Sequence, residues 1–419
     1  MDIRDHIEEI RADFPILKRE MSGYPVDYLD SCATTLKPKQ MIDEVVRYYT
    51  YLGANAHRGD YEMSAQVDYA YEGARELTKE FIHAARKEEI AFTSGSTESL
   101  NEIAMMLTDQ ILKEGDVVLS TELEHASSVL PWLMAGEPKG IKVEYIPVTE
   151  KGQVTVENFE KAVADNPKAR VVCLAQVSNV LGYEAPIREM AKICHEHGIL
   201  LVVDGAQAVA HLPVDVQELD VDFYVFSAHK MCGPTGIGVL YGKYELLDTL
   251  KPIYYGGESN ARFNKCGNLT LKKTPFKFES GTQPIEGALG MAAAMKYIDK
   301  IGKESIHKYE IELKHHFLER VKDYDNLIIY NADAESGIVT FNVTDQGKMI
   351  FPQDVASFLN SRGIAVRSGQ HCAKLLGDII DAPGTVRASV YFYNSFEDVD
   401  RLADALKECT FENCLDIFF

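Results

Sequence analysis

The chain has no cysteine pair at CxxC spacing, only one tryptophan and no long apolar run. Its eight cysteines (32, 173, 194, 232, 266, 372, 409 and 414) are scattered, whereas structural zinc sites declare themselves by paired short spacings, so no metal is expected. Cys409 and Cys414 near the end supply two ligands, too few for a metal site. Apolar runs such as residues 199–203 fall far below the ~18 residues of a membrane span. The first residues, Met1-Asp-Ile-Arg-Asp-His6, lack the basic and apolar regions of a secretory signal. A cytoplasmic protein with reduced thiols is therefore expected. Positive charge is also scarce: 43 basic against 64 acidic residues give a net −21. That argues against nucleic acid or an anionic membrane as partner, since both need a basic face. There is no G-x-x-x-x-G-K-[ST] loop, and Gly233-Pro-Thr-Gly-Ile-Gly238 lacks dinucleotide-binding spacing.

What is present is an ordinary globular composition, 46% hydrophobic and 26% charged, over 419 residues, long enough for two lobes. Strand and helix patterns alternate. Strands are expected at 89–93, 117–120, 170–177, 199–203 and 222–227. A helix follows Ser94-Gly-Ser-Thr97 with Gly115 as its stop, and another spans 187–197. Short apolar strands between helices predict a mostly parallel sheet covered on both faces. Beyond about 295, long charged helices, a strand at 337–342 and a helix near 395–409 predict a smaller α+β lobe, with residues 3–11 packed on it. The division expected is a large domain over 21–294 and a small domain made of 1–20 and 295–419.

Ligands of such sheets sit at the carboxyl ends of the strands, which brings Ser94-Gly-Ser-Thr97, Asp204 and Lys230 to one edge. Alone, Lys230 reads as a surface lysine and Asp204 as a loop cap. Together with a hydroxyl-rich helix start they make another combination. The helix N-terminus can cradle a phosphate, the lysine can form a Schiff base, and the aspartate can keep a pyridine nitrogen protonated. Those are a protein's duties toward pyridoxal 5'-phosphate.

Further motifs sharpen the picture: Asp204-Gly-Ala-Gln207, Phe223-Tyr-Val-Phe-Ser-Ala-His-Lys230, Tyr28-Leu-Asp-Ser-Cys-Ala-Thr-Thr35, Asn55-Ala-His-Arg-Gly59, Glu124-His125, Val177-Ser-Asn-Val-Leu-Gly182, Phe278-Glu-Ser-Gly-Thr282, Val366-Arg-Ser-Gly-Gln-His-Cys-Ala373 and Arg387-Ala-Ser389. In this order, over about residues 11–407, they resemble the class V aminotransferase superfamily. Within it they resemble the group II cysteine desulfurases and selenocysteine lyases of the sulfur-mobilisation type. The resemblance implies a fold-type-I, pyridoxal-phosphate-dependent homodimer. It would take sulfur from L-cysteine, or selenium from L-selenocysteine, release alanine and pass a persulfide to an acceptor protein for iron–sulfur cluster assembly. An aminotransferase, a β-lyase or a non-catalytic interaction protein on the same scaffold are the alternatives.

The resemblance also implies residue roles. Lys230 carries the cofactor and moves the Cα proton, Asp204 pairs with the pyridine nitrogen, and Gln207 bonds the phenolic oxygen. His125 stacks on the ring and assists proton transfer. Ser96, Thr97, Ser227 and His229 hold the phosphate, with Thr282 reaching in from a neighbouring subunit. Asn179, Arg387, Arg367 and His57 form the substrate set, and Cys372 is the nucleophile. Carboxylate recognition suits arginine's planar fork, and a sulfur-attacking thiolate needs a basic, partly exposed setting. Cys32 stands where relatives usually carry alanine and is expected to be a small filler. Ala126, Gln370, Ser94 and the stretch 258–274 depart from the common pattern.

Overall fold

The structure is a computed structural model that describes residues 2–57 and 59–417. Arg58 of the Asn55–Gly59 motif and the final two phenylalanines lie outside the described residues. A seven-stranded sheet forms the centre, in the order Ile90–Thr93, Gly238–Gly242, Phe223–Ser227, Leu200–Asp204, Ala169–Ala175, Val117–Ser120 and Lys142–Tyr145. Gly238–Gly242 runs antiparallel to both neighbours, and the other pairings are parallel. Six carboxyl ends therefore share one edge.

The continuous apolar strands are explained by burial on both faces. Along Phe223–Ser227, Phe223 and Val225 enter one core cluster and Tyr224 and Phe226 the other. That is the two-residue period of a pleated strand with helices on each side. The helix Ser96–Gln110 covers one face with Leu100, Ile103, Ala104 and Leu107. It ends at Gln110, ahead of Gly115, which occupies a later turn at φ +83°. The expected stop is thus a turn residue. The helix ends without it, and the Leu107 carbonyl accepts the N–H groups of both Ile111 and Leu112.

The helix Ile285–Ile301 runs unbroken through positions 294 and 295. Its Gly290 allows close approach to the helix Lys39–Arg47: a Cβ there would meet Val45 Cγ2 at 2.8 Å. Gly302, at φ +98°, separates this helix from Lys303–Val321, which packs on Phe396–Lys407. The second sheet is antiparallel, in the order Leu327–Ile329, Ile338–Asp345, Thr385–Ser389 and Arg367–Gly369. The N-terminal helix Ile7–Ala12 straps onto this part. Arg11 donates to the Tyr393 carbonyl and pairs with Asp398, both at 2.9 Å, and Arg4 pairs with Glu312 at 3.1 Å.

Candidate active site

A cavity of about 180 Å³ opens at the carboxyl edge of the central sheet. Eleven of the residues expected from sequence line it: Ser96, Thr97, His125, Asn179, Asp204, Ser227, His229, Lys230, Arg367, Cys372 and Arg387. Those from the central sheet reach it because a strand has just ended, whereas Arg367 and Arg387 project from strands of the second sheet. Thr93 leads into the Ser96 helix, Ser120 into the turn bearing His125, and Ala175 into Asn179. Asp204 is itself a strand's last residue, and Ser227 is followed directly by the turn Ala228–Lys230.

One end of the cavity is built for an anion. Ser96 gives both its N–H (2.8 Å) and its hydroxyl (2.9 Å) to contacts with Ser227 Oγ, and Thr97 Oγ1 lies 2.8 Å from Ser127 Oγ. These hydroxyls ring the N-terminus of a 15-residue helix, where unpaired N–H groups and the helix dipole favour negative charge. The His229 imidazole completes the ring. Burial and the nearby Lys230 and Lys37 charges push its pKa down to about 4, so it stays neutral. The segment 34–37 fixes its backbone: the His229 carbonyl accepts from Thr34 Oγ1 (3.0 Å), Thr35 N–H (3.0 Å) and Lys37 Nζ (2.8 Å). That accounts for the Thr-Thr motif, because it sets the turn that aims Lys230.

Toward the middle, Asp204 is buried and both oxygens are held. Oδ1 accepts the Ala206 N–H at 3.0 Å and Oδ2 accepts the Ser128 hydroxyl at 3.1 Å. A carboxylate locked this way can face a protonated ring nitrogen without moving. Burial lowers the Lys230 ammonium pKa while Asp204 pulls it upward, favouring an amine able to attack a carbonyl. His125 caps the helix Ala126–Gly136, its Nδ1 accepting the Ser127 N–H at 3.2 Å. That bond leaves any ring proton on Nε2, and burial with the Lys230 charge lowers its pKa.

The far wall is cationic. Arg367 and Arg387 sit directly opposite one another on antiparallel strands, a like-charge pairing that is unfavourable without a compensating anion. Asp30 supplies part of it, 3.2 Å from Arg387 Nη2, and the Asn179 carbonyl accepts from Nη1 at 2.7 Å. Arg387 is 2% exposed, yet its Nε has no partner among the described residues. An orphaned guanidinium N–H in a cationic pocket fits the carboxylate of an amino acid.

Cys372 is exposed and completes this wall. Its loop is pinned from two sides. The Cys372 carbonyl accepts the Ala126 N–H at 2.8 Å, and the His371 carbonyl accepts from Asn179 Nδ2 at 2.9 Å. His371 (φ +50°) and Cys372 (φ +61°) are both left-handed, a conformation that costs roughly 1–2 kcal/mol per residue. The His371 ring is buried, with Nε2 2.9 Å from Thr385 Oγ1. Burial beside Arg387 and Arg367 drops its pKa to about 3. It is therefore a neutral wedge under the thiol, and the positive charge near Cys372 comes from the arginines.

Three expected residues lie elsewhere. Gln207 is buried behind the wall, its amide donating to the Cys32 carbonyl at 2.9 Å. His57 stands near Tyr71 and Phe276, ring centroids 6.0 and 5.8 Å away. Thr282 is exposed on the segment after Phe276–Phe278. Conversely, Asp30, Ser127, Ser128 and His371 belong to the site's geometry without having been singled out. Ser127 and Ser128 stand just after His125 at the helix start, the one local signal that could have found them. Cys32 is buried against the same cavity.

The chain matches the Aminotransferase class-V family over residues 27–402. It is 42% identical to a probable cysteine desulfurase of Halalkalibacterium halodurans over 400 residues, covering 96% of this chain and 97% of the relative. It is 40% identical to a cysteine desulfurase of Haloferax volcanii, with 96% of each covered. The apo cysteine desulfurase from Thermococcus onnurineus NA1 superposes with a TM-score of 0.89 at 36% identity, covering 96% and 97% of the two chains.

Proposed function

Since the chain belongs to the class-V aminotransferase family, we propose that it acts as a cysteine desulfurase, converting L-cysteine to L-alanine with transfer of the sulfur to Cys372. The observation that carries this reading is one cavity holding Lys230 with Asp204, the paired arginines and an exposed cysteine. An aminotransferase has no use for the last of these.

The cofactor is pyridoxal 5'-phosphate, and the hydroxyl-ringed helix start, the fixed Asp204 carboxylate and the Lys230 amine fit it. When bound, it supplies an electron sink for the substrate's Cα. Ser96, Thr97, Ser227 and His229 would hold its phosphate, Asp204 its ring nitrogen and His125 its ring face, and Gln207 would reach its phenolic oxygen with the amide hydrogen not given to the Cys32 carbonyl. Arg387 and Asn179 orient the substrate carboxylate, with Arg367 beside them. Lys230 Nζ, whose ammonium form burial disfavours, takes the Cα proton. Cys372 Sγ attacks the substrate sulfur, an S–S bond forms as the Cβ–S bond breaks, and Cys372 is left as a persulfide. A sulfur-acceptor protein serving iron–sulfur assembly then clears it. L-Selenocysteine is the natural second substrate.

Arg367, Cys372 and Arg387 all come from the proposed small domain, 1–20 with 295–419, and the cofactor residues from 21–294, so the site forms where the two meet. Eight free thiols among the described residues support a reducing, cytoplasmic setting. Among the described residues no helix is long and apolar enough to cross a membrane. The test is to incubate purified protein with cysteine, with and without dithiothreitol, and measure alanine, sulfide and persulfide. Alanine with a Cys372 persulfide, and faster turnover with reductant, is expected. Pyruvate or sulfide with no persulfide would make the protein a β-lyase.

A further inference from the structure

Far along the chain from the cofactor residues, Cys409 and Cys414 bring their sulfurs to 3.6 Å of each other. Both are buried, at 1% and 2% exposure. Cys409 lies just beyond the helix Phe396–Lys407, and Cys414 inside the last helix, Phe411–Asp416. The turn between them is held at several points. Thr410 Oγ1 accepts the Asn413 N–H at 3.1 Å, Asn413 Nδ2 donates to the Glu408 carbonyl at 2.7 Å, and the Phe411 N–H donates to Asp345 Oδ2 at 2.9 Å. The backbone therefore imposes the approach.

A disulfide needs the sulfurs at about 2.05 Å, so closure asks for a movement of roughly 1.5 Å. Two thiols alone do not make a metal site. They do make an attacking and a resolving pair. The two thiols share one hydrogen bond in which either sulfur can donate; with Cys409 as donor, that bond lowers the Cys414 thiol pKa and raises that of Cys409. One sulfur is thereby favoured as thiolate and its neighbour stays protonated.

We propose that Cys409 and Cys414 form a reversible dithiol–disulfide site, oxidised by hydrogen peroxide and separate from the sulfur-accepting Cys372. The Cys414 thiolate attacks one peroxide oxygen, the O–O bond breaks, and the departing hydroxide takes a proton to become water. Cys414 is then a sulfenic acid. Cys409 sulfur attacks the Cys414 sulfur, the hydroxyl leaves with the Cys409 proton as a second water, and the S–S bond forms. Two electrons pass from the two thiols to the peroxide. Oxidation ties the last helix to the end of Phe396–Lys407. That last helix packs against Pro352–Asn360, which in turn packs against Arg367–Gly369, the strand leading to Cys372. Because the pair is buried under a short terminal helix, oxidation follows the opening of that helix and is slower than at an exposed thiol.

The test uses the full-length holoenzyme and its Cys372→Ser variant. Each is treated with hydrogen peroxide, unfolded, alkylated with iodoacetamide and digested with trypsin. Cleavage after Lys407 leaves both cysteines on one peptide, residues 408–419. In both proteins that peptide is expected to lose the two thiol hydrogens and take no alkyl group, and dithiothreitol before alkylation should restore two. In Cys409→Ser, which keeps a hydroxyl donor toward Cys414 but has no resolving sulfur, Cys414 should proceed to sulfinic acid. Full double alkylation after peroxide exposure prolonged well beyond complete oxidation of the exposed Cys266 would overturn the proposal. So would oxygen addition to either cysteine of the pair in the unmutated enzyme, or a Cys414 in Cys409→Ser that remains alkylatable.

Discussion

At the scale of single residues, the site is defined as much by what lacks a partner as by what has one. Arg387 is buried with Nε unpaired and Arg367 directly across from it, and Asp30 balances only part of that charge. In the proposed reaction the substrate carboxylate supplies the missing balance. Arg387→Ala should therefore weaken cysteine binding by about 2–5 kcal/mol, the loss typical of a buried charged pair. Steady-state kinetics would report it as a raised KM, and an unchanged KM would place the carboxylate elsewhere. Cys372→Ala should act on chemistry and leave binding intact. With cysteine, the Cβ–S bond needs a thiolate to receive the sulfur, so alanine release should largely stop. With selenocysteine, a weaker bond and a better leaving group should preserve a substantial share of activity. Assaying alanine from both substrates checks this. Full cysteine activity would move attention to Cys32, which lines the same cavity. The residues legible in sequence were those inside short motifs: Lys230, Asp204, Cys372, Arg387. Asp30 and His371 also stand in motifs, but their contacts, Asp30 to Arg387 and His371 to Thr385, join positions 357 and 14 apart. No local pattern carries such a pairing.

Among the elements, the strand–turn–helix units were legible because buried parallel strands are unbroken apolar runs. Their ends were less so: residues 170–177 were expected as strand, and the observed strand is Ala169–Ala175. The antiparallel Gly238–Gly242 strand carries no signal of its direction, since hydrophobic pattern reports burial and not polarity of the chain. What joins these units is in places a single polar group. Glu124, next to His125, accepts from Thr121 Oγ1 at 2.7 Å and from the Ala175 N–H at 2.7 Å, linking the ends of Val117–Ser120 and Ala169–Ala175. Burial raises its pKa from 4.5 to about 8. The sign of its linkage follows. Below about pH 4.5 folded and unfolded chains both hold the proton. Between 4.5 and 8 only the unfolded chain ionises, so this contribution to stability falls as pH rises and is lost above about 8. Glu124→Gln keeps an uncharged polar group there. Thermal melts should show the variant gaining on the unmutated protein from pH 6 to pH 9, and parallel curves would mean that Glu124 is ionised when folded.

For the whole molecule, the two expected residues far from the cavity become informative when taken together. His57 packs near Phe276, and Thr282 follows Glu279 by three residues. Glu279 is clamped by the buried Arg75, through Nη1 at 2.6 Å and Nη2 at 2.9 Å, and by the Phe92 N–H at 2.7 Å. Phe276 also lies under the Arg75 guanidinium, 5.5 Å from ring centroid to Cζ. The segment is firmly anchored to its own subunit, while the Thr282 side chain faces outward. Exposed Tyr254, Tyr255 and Phe263 precede it in the chain. We propose that this rigid segment presents the Thr282 hydroxyl to the phosphate site of a partner subunit, each subunit of a homodimer completing the other's site. Losing one charge-assisted hydrogen bond to phosphate costs about 1.5–3 kcal/mol, so Thr282→Ala should bind pyridoxal phosphate roughly ten- to a hundredfold more weakly. Mixed dimers distinguish donation across the interface from a role within one chain. Lys230→Ala and Thr282→Ala subunits, carrying different affinity tags, can be co-expressed and the heterodimer isolated. If Thr282 acts on the partner, the site built on the Thr282→Ala subunit receives an intact threonine from the Lys230→Ala subunit and keeps its own lysine. That site should regain full cofactor affinity and desulfurase activity, giving about half the activity of the unmutated dimer. If Thr282 acts within its own chain, both sites stay defective and the heterodimer gains nothing over the Thr282→Ala homodimer. A monomer in sedimentation analysis would remove the shared site altogether.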